Sequence, residues 1–276
     1  MKLNIPDYLN PNFSPDQFGE FSDIAIDLKN KGYAKFKFPD ENFNSLAEHI
    51  KENLSEIMDL SEVGKEKSPR IQNYLNNSSV KEIACNDLLI KMLSKIYGRK
   101  AFPFQTLNFP YGTQQKGHSD NVHFDSIPNN FMAGVWVALE DIHEDSGPLF
   151  FYEGSHKWPR VDNFLLGYKQ DKNQAPHYHK YTEFWESYAD YSKADKKLFL
   201  AKKGECLIWS SNLVHGGSKQ TDFKRTRWSQ VTHYYFEDCS YYTPVFSDEV
   251  FNRYCWKEPQ NIKTGETIMS SIKPTK

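Results

Sequence analysis

The stretch GTQQKGHSDNVHFDSIP, Gly112 to Pro128, holds two His-x-Asp pairs: His118 with Asp120, and His123 with Asp125. Two residues apart on an extended chain, an imidazole and a carboxylate share a face. Two histidines and one carboxylate on one side of a metal, with three positions open, form the ligand set of non-heme Fe(II) oxygenases. The third ligand must then come from elsewhere. His215, in CLIWSSNLVHGGS, lies 97 residues after His118, just past an apolar run and before two glycines. A basic run follows, FKRTRWSQVTHYYFE. In it, Arg225 and Arg227 are candidates to hold the distal carboxylate of a 2-oxoglutarate co-substrate, because a guanidinium is always charged and grips a carboxylate as a fork. Being two apart, they share a strand face, and alternation does not separate them.

The elements that must position these residues change in character along the chain. The first 100 residues read as helical in part. FNSLAEHIKENLSEIMDL places Leu46, Ile50, Leu54 and Ile57 at helical intervals. VKEIACNDLLIKMLSKIYG does the same through Ile83, Leu88, Met92 and Ile96, and stops at Gly98. After residue 100 the runs FQTLNF, MAGVWVALEDI, PLFFYEG, ECLIWSS and RWSQVTHYYFE are β-branched or aromatic and bounded by turn residues, which predicts strands. Between them, roughly residues 159–200 form a polar, aromatic stretch that reads as an insertion or lid with some helix. The expected class is α+β with a mainly β core: an antiparallel sandwich or barrel carrying helices on one side. The whole chain, 1–276, is expected to be one domain, with a helical part over 1–100, a core over 101–240 and an extension over 241–276.

Composition narrows the partners. With 38% hydrophobic and 25% charged residues the chain reads as globular, and its net charge of −2 offers no footprint for nucleic acid. No apolar run is long enough for a membrane span, and the opening MKLNIPDYLNPNF lacks an apolar leader core. The four cysteines are widely spaced with no C-x-x-C pair. A reducing, cytoplasmic setting is therefore expected, with no zinc cluster and no disulfide scaffold.

Taken together, HSD, then GVWVALEDIHEDSGPLFFYEGSHKWP, then GECLIWSSNLVHGG and TRWSQVTHYYF resemble the phytanoyl-CoA dioxygenase family. This is a branch of the Fe(II)/2-oxoglutarate-dependent oxygenases that also contains ectoine hydroxylase. The resemblance covers about Phe104 to Phe236. It implies a double-stranded β-helix (a cupin-like jelly roll), with His118, Asp120 and His215 as iron ligands. It matches Arg227, better than Arg225, to the 2-oxoglutarate anchor, Trp136 to a position that packs by the co-substrate, and Asn108 to an asparagine that contacts it. It also favours His118/Asp120 over His123/Asp125, because Pro128 then falls ten residues after the histidine and Trp136 eight further on.

The implied cofactors are Fe(II), 2-oxoglutarate and O2. The implied activity is hydroxylation of a small or carrier-linked metabolite, with release of succinate and CO2. The carboxylate at Asp120 occupies the place that related halogenases leave free for halide. The competing reading is a non-oxygenase isomerase or sugar-binding module on the same scaffold, since fold alone does not fix function.

Several residues stay outside this scheme. His123 and Asp125 read equally as a substrate-facing pair and as a loop histidine with a turn-capping aspartate. His156 reads as a turn residue, and His233 as core on the Arg227 face. His177 and His179 could form a second metal site, but no partner sits at ligand spacing, and a substrate lid is the expected role for that stretch.

Overall fold

The N-terminal helices form where apolar residues recur on one face. A computed structural model describes residues 4–58, 70–168 and 175–271, without the side chains of residues 175–177. Helix α1 is Ser22–Lys31, strand β1 Tyr33–Lys37 and helix α2 Phe43–Ile57. In α2, Leu46, Ile50 and Leu54 are buried, whereas Ile57 on the last turn is exposed. The second expected helix is two: α3, Ser78–Ala84, and α4, Asp87–Tyr97. Asn86 interrupts the run because its side chain accepts the Leu89 N–H at 3.0 Å and caps a new helix. The restart turns Leu88 outward and buries Leu89, Met92, Leu93 and Ile96. Gly98 ends α4 in the left-handed region, at φ 71°.

The remaining elements are mostly strands. They are β2 Ala101–Phe109, β3 Asp125–Ile127, β4 Met132–Ala138, β5 Leu149–Tyr152, β6 Lys196–Phe199, β7 Glu205–Ser210, β8 His215–Gly217, β9 Ser229–Phe236, β10 Ser240–Tyr242 and β11 Trp256–Lys257. Helix α5, Ala175–Tyr191, precedes β6. The large sheet runs β1-β7-β4-β9-β2, and a smaller sheet runs β6-β5-β8. This is a mixed helix and sheet fold with antiparallel sheets and a jelly-roll core. A third sheet joins β11, β10 and β3.

Two corrections to the sequence reading follow. The first 100 residues are not only helical, since β1 pairs with β7 at the edge of the large sheet. The 159–200 stretch ends in β6, a core strand paired with β5. Short edge strands carry too few residues for a periodic signal, and only pairing reveals them.

Strand β4 is buried along its whole length because the large sheet is covered on both faces. Val135 and Val137 face the helices in a cluster with Leu28, Ile50 and Leu93. Trp136 points the other way, into a cluster with Leu149, Phe151, Phe199, Leu207 and Trp209 between the two sheets. Strand alternation thus sends Trp136 and Ala138 into the jelly roll. Helix α5 buries Tyr181 and Trp185 against Val122 and Val214, so it packs on the segments that carry Asp120 and His215. Among the described residues no helix is long and apolar enough to cross a membrane. The cysteines are free.

Candidate active site

His118 and His215 are tied to each other through the backbone. Each donates its N–H to the other's carbonyl at 2.9 Å, an isolated antiparallel bridge at the open end of β8. Ser119 is extended and fully buried, so His118 and Asp120 emerge on the opposite side. Asp120 itself opens a short 3-10 turn, Asp120–Val122, rather than continuing a strand. Asn121 N–H, donating to Ser211 O at 2.8 Å, pins that turn to the loop before His215.

The three side chains converge. The Nε2 atoms of His118 and His215 each lie 3.7 Å from Oδ1 of Asp120. One ligand atom from each of the three falls within 4.8 Å of the others, and all three residues are buried. Each imidazole has Nδ1 3.0 Å from a backbone carbonyl, of Lys116 for His118 and of Leu213 for His215. With the proton on Nδ1, both Nε2 lone pairs face the centre. Burial and the neighbouring His215 push the His118 pKa down to about 3, so it is neutral at pH 7. Burial opposes the charge on Asp120, but the imidazoles of His215, His233 and His118 outweigh it. They hold the carboxyl well below the usual carboxylate range.

The other carboxylate oxygen, Oδ2, is held from behind. The indole Nε1 of Trp209 donates to it at 2.7 Å, and His233 Nε2 approaches to 3.4 Å. Trp209 faces inward because it alternates with Ile208 along β7, and Gly134 on the paired strand leaves room for its ring. His233 is therefore not plain core; it lies beside the triad. Trp209 was not singled out in the sequence, and His233 was read there as core, because the role of each depends on strands paired across the sheet.

A cavity of about 740 Å3 opens over the triad. Arg227 and Trp136 line it. Arg227 is 2% exposed, whereas Arg225 is exposed and paired with Asp222 at 3.1 Å. Arg227 donates to Tyr111 O at 3.1 Å and Ser229 Oγ at 3.3 Å; among the described residues no carboxylate forms an ion pair with it, and Glu140 acts on it only from further away. Burial pushes its pKa down to about 10, which leaves it charged at pH 7. The Nε–H of Arg227 and the Nε1–H of Trp136 are buried without an acceptor. Both are donors only, so the pair fits an incoming carboxylate.

Asn108 does not reach this cavity. On β2 the neighbours Leu107 and Phe109 line it, so alternation turns Asn108 to the other face, where its Nδ2 donates to Gln230 Oε1 at 3.2 Å. The second His-x-Asp pair separates in the same way. His123 lines the cavity, with its ring 4.7 Å from that of Tyr178. Asp125 is fully buried elsewhere and paired with Arg160, which also binds Glu249 at 2.8 Å. His156 holds a turn, with Nε2 3.1 Å from Lys29 O. His179 is exposed on α5, and the His177 side chain lies outside the described residues.

A sequence model of the family described as phytanoyl-CoA dioxygenase (PhyH) matches residues 40–226, more than half of the chain. The chain belongs to the phytanoyl-CoA dioxygenase family. Structures similar to this member of the family share its fold at low identity. The carbocyclase SnoK from nogalamycin biosynthesis, described as non-heme and alpha ketoglutarate dependent, superposes with a TM-score of 0.64 at 14% identity. That match covers 94% of this chain and 95% of SnoK. Iron-bound EctD from S. alaskensis gives 0.59 at 16% identity, covering 85% of this chain and 82% of EctD. The epimerase SnoN, solved with Fe3+, alpha ketoglutarate and nogalamycin RO, gives 0.57 at 16% identity, covering 80% and 86%. Among curated proteins no sequence match is found.

Proposed function

We propose that this chain is an Fe(II)- and 2-oxoglutarate-dependent dioxygenase that oxidises a small molecule, with hydroxylation as the favoured outcome. The observation that carries this reading is the pairing of two incomplete partners in one cavity: a His118–Asp120–His215 triad facing a common centre, and a buried Arg227 with no ion-pair partner among the described residues. The donor set of two imidazoles, each with Nε2 towards the centre, and one carboxylate suits Fe(II). When bound, the iron and its co-substrate would supply the oxidising power, with succinate and CO2 released.

The protein's own part is position, charge and dryness. Backbone carbonyls fix the tautomers of His118 and His215. Trp209 and His233 occupy Oδ2 of Asp120, which leaves Oδ1 for the metal. Arg227 and the Trp136 indole offer N–H donors to the distal carboxylate of 2-oxoglutarate. The aromatic lining keeps water from the reacting end. The reactions named for SnoK and SnoN, ring closure and epimerisation, are other outcomes of the same equipment, and product mass separates them from hydroxylation.

Anaerobic mixing with Fe(II) and 2-oxoglutarate should give a visible charge-transfer band. Asp120→Ala should abolish it, and Arg227→Gln should weaken 2-oxoglutarate binding by about a hundredfold, as expected for loss of charge-assisted bonds worth ~2–3 kcal/mol. Tight iron binding by the wild type with no band would overturn the reading.

A further inference from the structure

The outer half of the cavity carries charge that the iron site does not use. Arg70 and Lys257 both line it, on the same side as His123 and Phe124. Both act on His123, lowering its pKa, and Lys257 sits 4.9 Å over the Phe124 ring. Neither has a carboxylate partner among the described residues, whereas most lysines near acidic groups here do pair, such as Lys116 with Glu186 and Lys202 with Asp141. Burial lowers the Lys257 pKa, with only Cys255 opposing it. Asp120 is the one carboxylate in the cavity wall among the described residues.

The charges can be summed on the iron and 2-oxoglutarate reading, on which this inference rests. Fe(II) contributes two positive charges, Arg227 one, Asp120 one negative and 2-oxoglutarate two negative. These cancel. Arg70 and Lys257 remain: Arg70 is exposed where it lines the cavity, and Lys257 is partly buried, where a charge without a partner is costly.

We propose that Arg70 and Lys257 form a subsite for an anionic group on the oxidised substrate, a carboxylate or a phosphate. The body of the substrate would lie along His123, Phe124 and Tyr178, with its reacting carbon towards the triad. His123 and Tyr178, packed on each other at 4.7 Å, join Phe124 in an aromatic wall against which a flat or ring-shaped segment could lie. A cavity of about 740 Å3 has room for such a molecule beside the co-substrate.

The test is binding. The holoprotein, with Fe(II) and 2-oxoglutarate under anaerobic conditions, is titrated with phenylacetate, phenyl phosphate and neutral 2-phenylethanol, followed by tryptophan fluorescence at low salt. At least one anion should bind about tenfold or more tightly than the alcohol, and which one does so identifies the group. Arg70→Gln/Lys257→Gln should erase that preference. The proposal fails if the alcohol binds as well as both anions, or if the preference survives in the double variant. The charge-transfer band reports separately on the iron reading: its loss in the wild type would sink that reading, while fluorescence would still report the anion preference.

Discussion

Trp209→Phe probes the support behind the proposed metal site without touching any of its three candidate ligands. The indole N–H donates to the buried Asp120 carboxylate at 2.7 Å. A hydrogen bond to a charged group contributes ~1.5–3 kcal/mol, and phenylalanine cannot replace it. The phenyl ring still fills most of the site and keeps an aromatic face towards His215, whose ring lies 4.5 Å from that of Trp209. Freed on one side, the carboxylate rotates between orientations, and metal affinity falls by about ten- to a hundredfold. The assay is anaerobic Fe(II) titration by calorimetry, with circular dichroism to establish folding. Trp158→Phe is the control, since Trp158 packs on Tyr152 and Trp185, away from Asp120. Unchanged Fe(II) affinity in folded Trp209→Phe, or equal weakening by Trp158→Phe, would refute the reasoning.

Three further outcomes are expected. Gly134→Ala should cost ~1–3 kcal/mol and also weaken Fe(II) binding, because a Cβ there would collide with the Trp209 indole; a melt and the same titration check both. Asp125→Asn should destabilise the fold by about 1–2 kcal/mol, since Arg160 loses one charged partner but keeps Glu249, and should leave iron affinity unchanged; a large loss of affinity in folded protein would return Asp125 to the site. Metal-free protein should weaken as pH falls from about 6.5 towards 3. The folded His118 pKa is depressed to about 3, so the unfolded chain takes up the proton first. His118 alone removes about 2 kcal/mol by pH 5, and equal denaturation midpoints at pH 7 and pH 5 would contradict this.

The short motifs were legible because their chemistry is local. His118, Asp120 and His215 needed only residue type, order and the resemblance to be brought together as a set, and each major core strand announced itself by aromatic and β-branched residues. The helix break at Asn86 was missed because a side-chain cap competes with periodicity inside a continuous apolar run. Asn108 was misjudged because a one-residue change of parity moves a strand side chain to the other face. Arg225 and Arg227 were inseparable by alternation, and burial parted them at the residues leading into β9. What the sequence determined by itself was a candidate ligand set and the strands to carry it. What only the tertiary structure decided was environment: Trp209 and His233 behind Asp120, the burial of Arg227, and Asp125 drawn away to Arg160. Those depend on which distant segments pair across the sheets, and free energies of burial and charge follow from neighbours in space rather than along the chain.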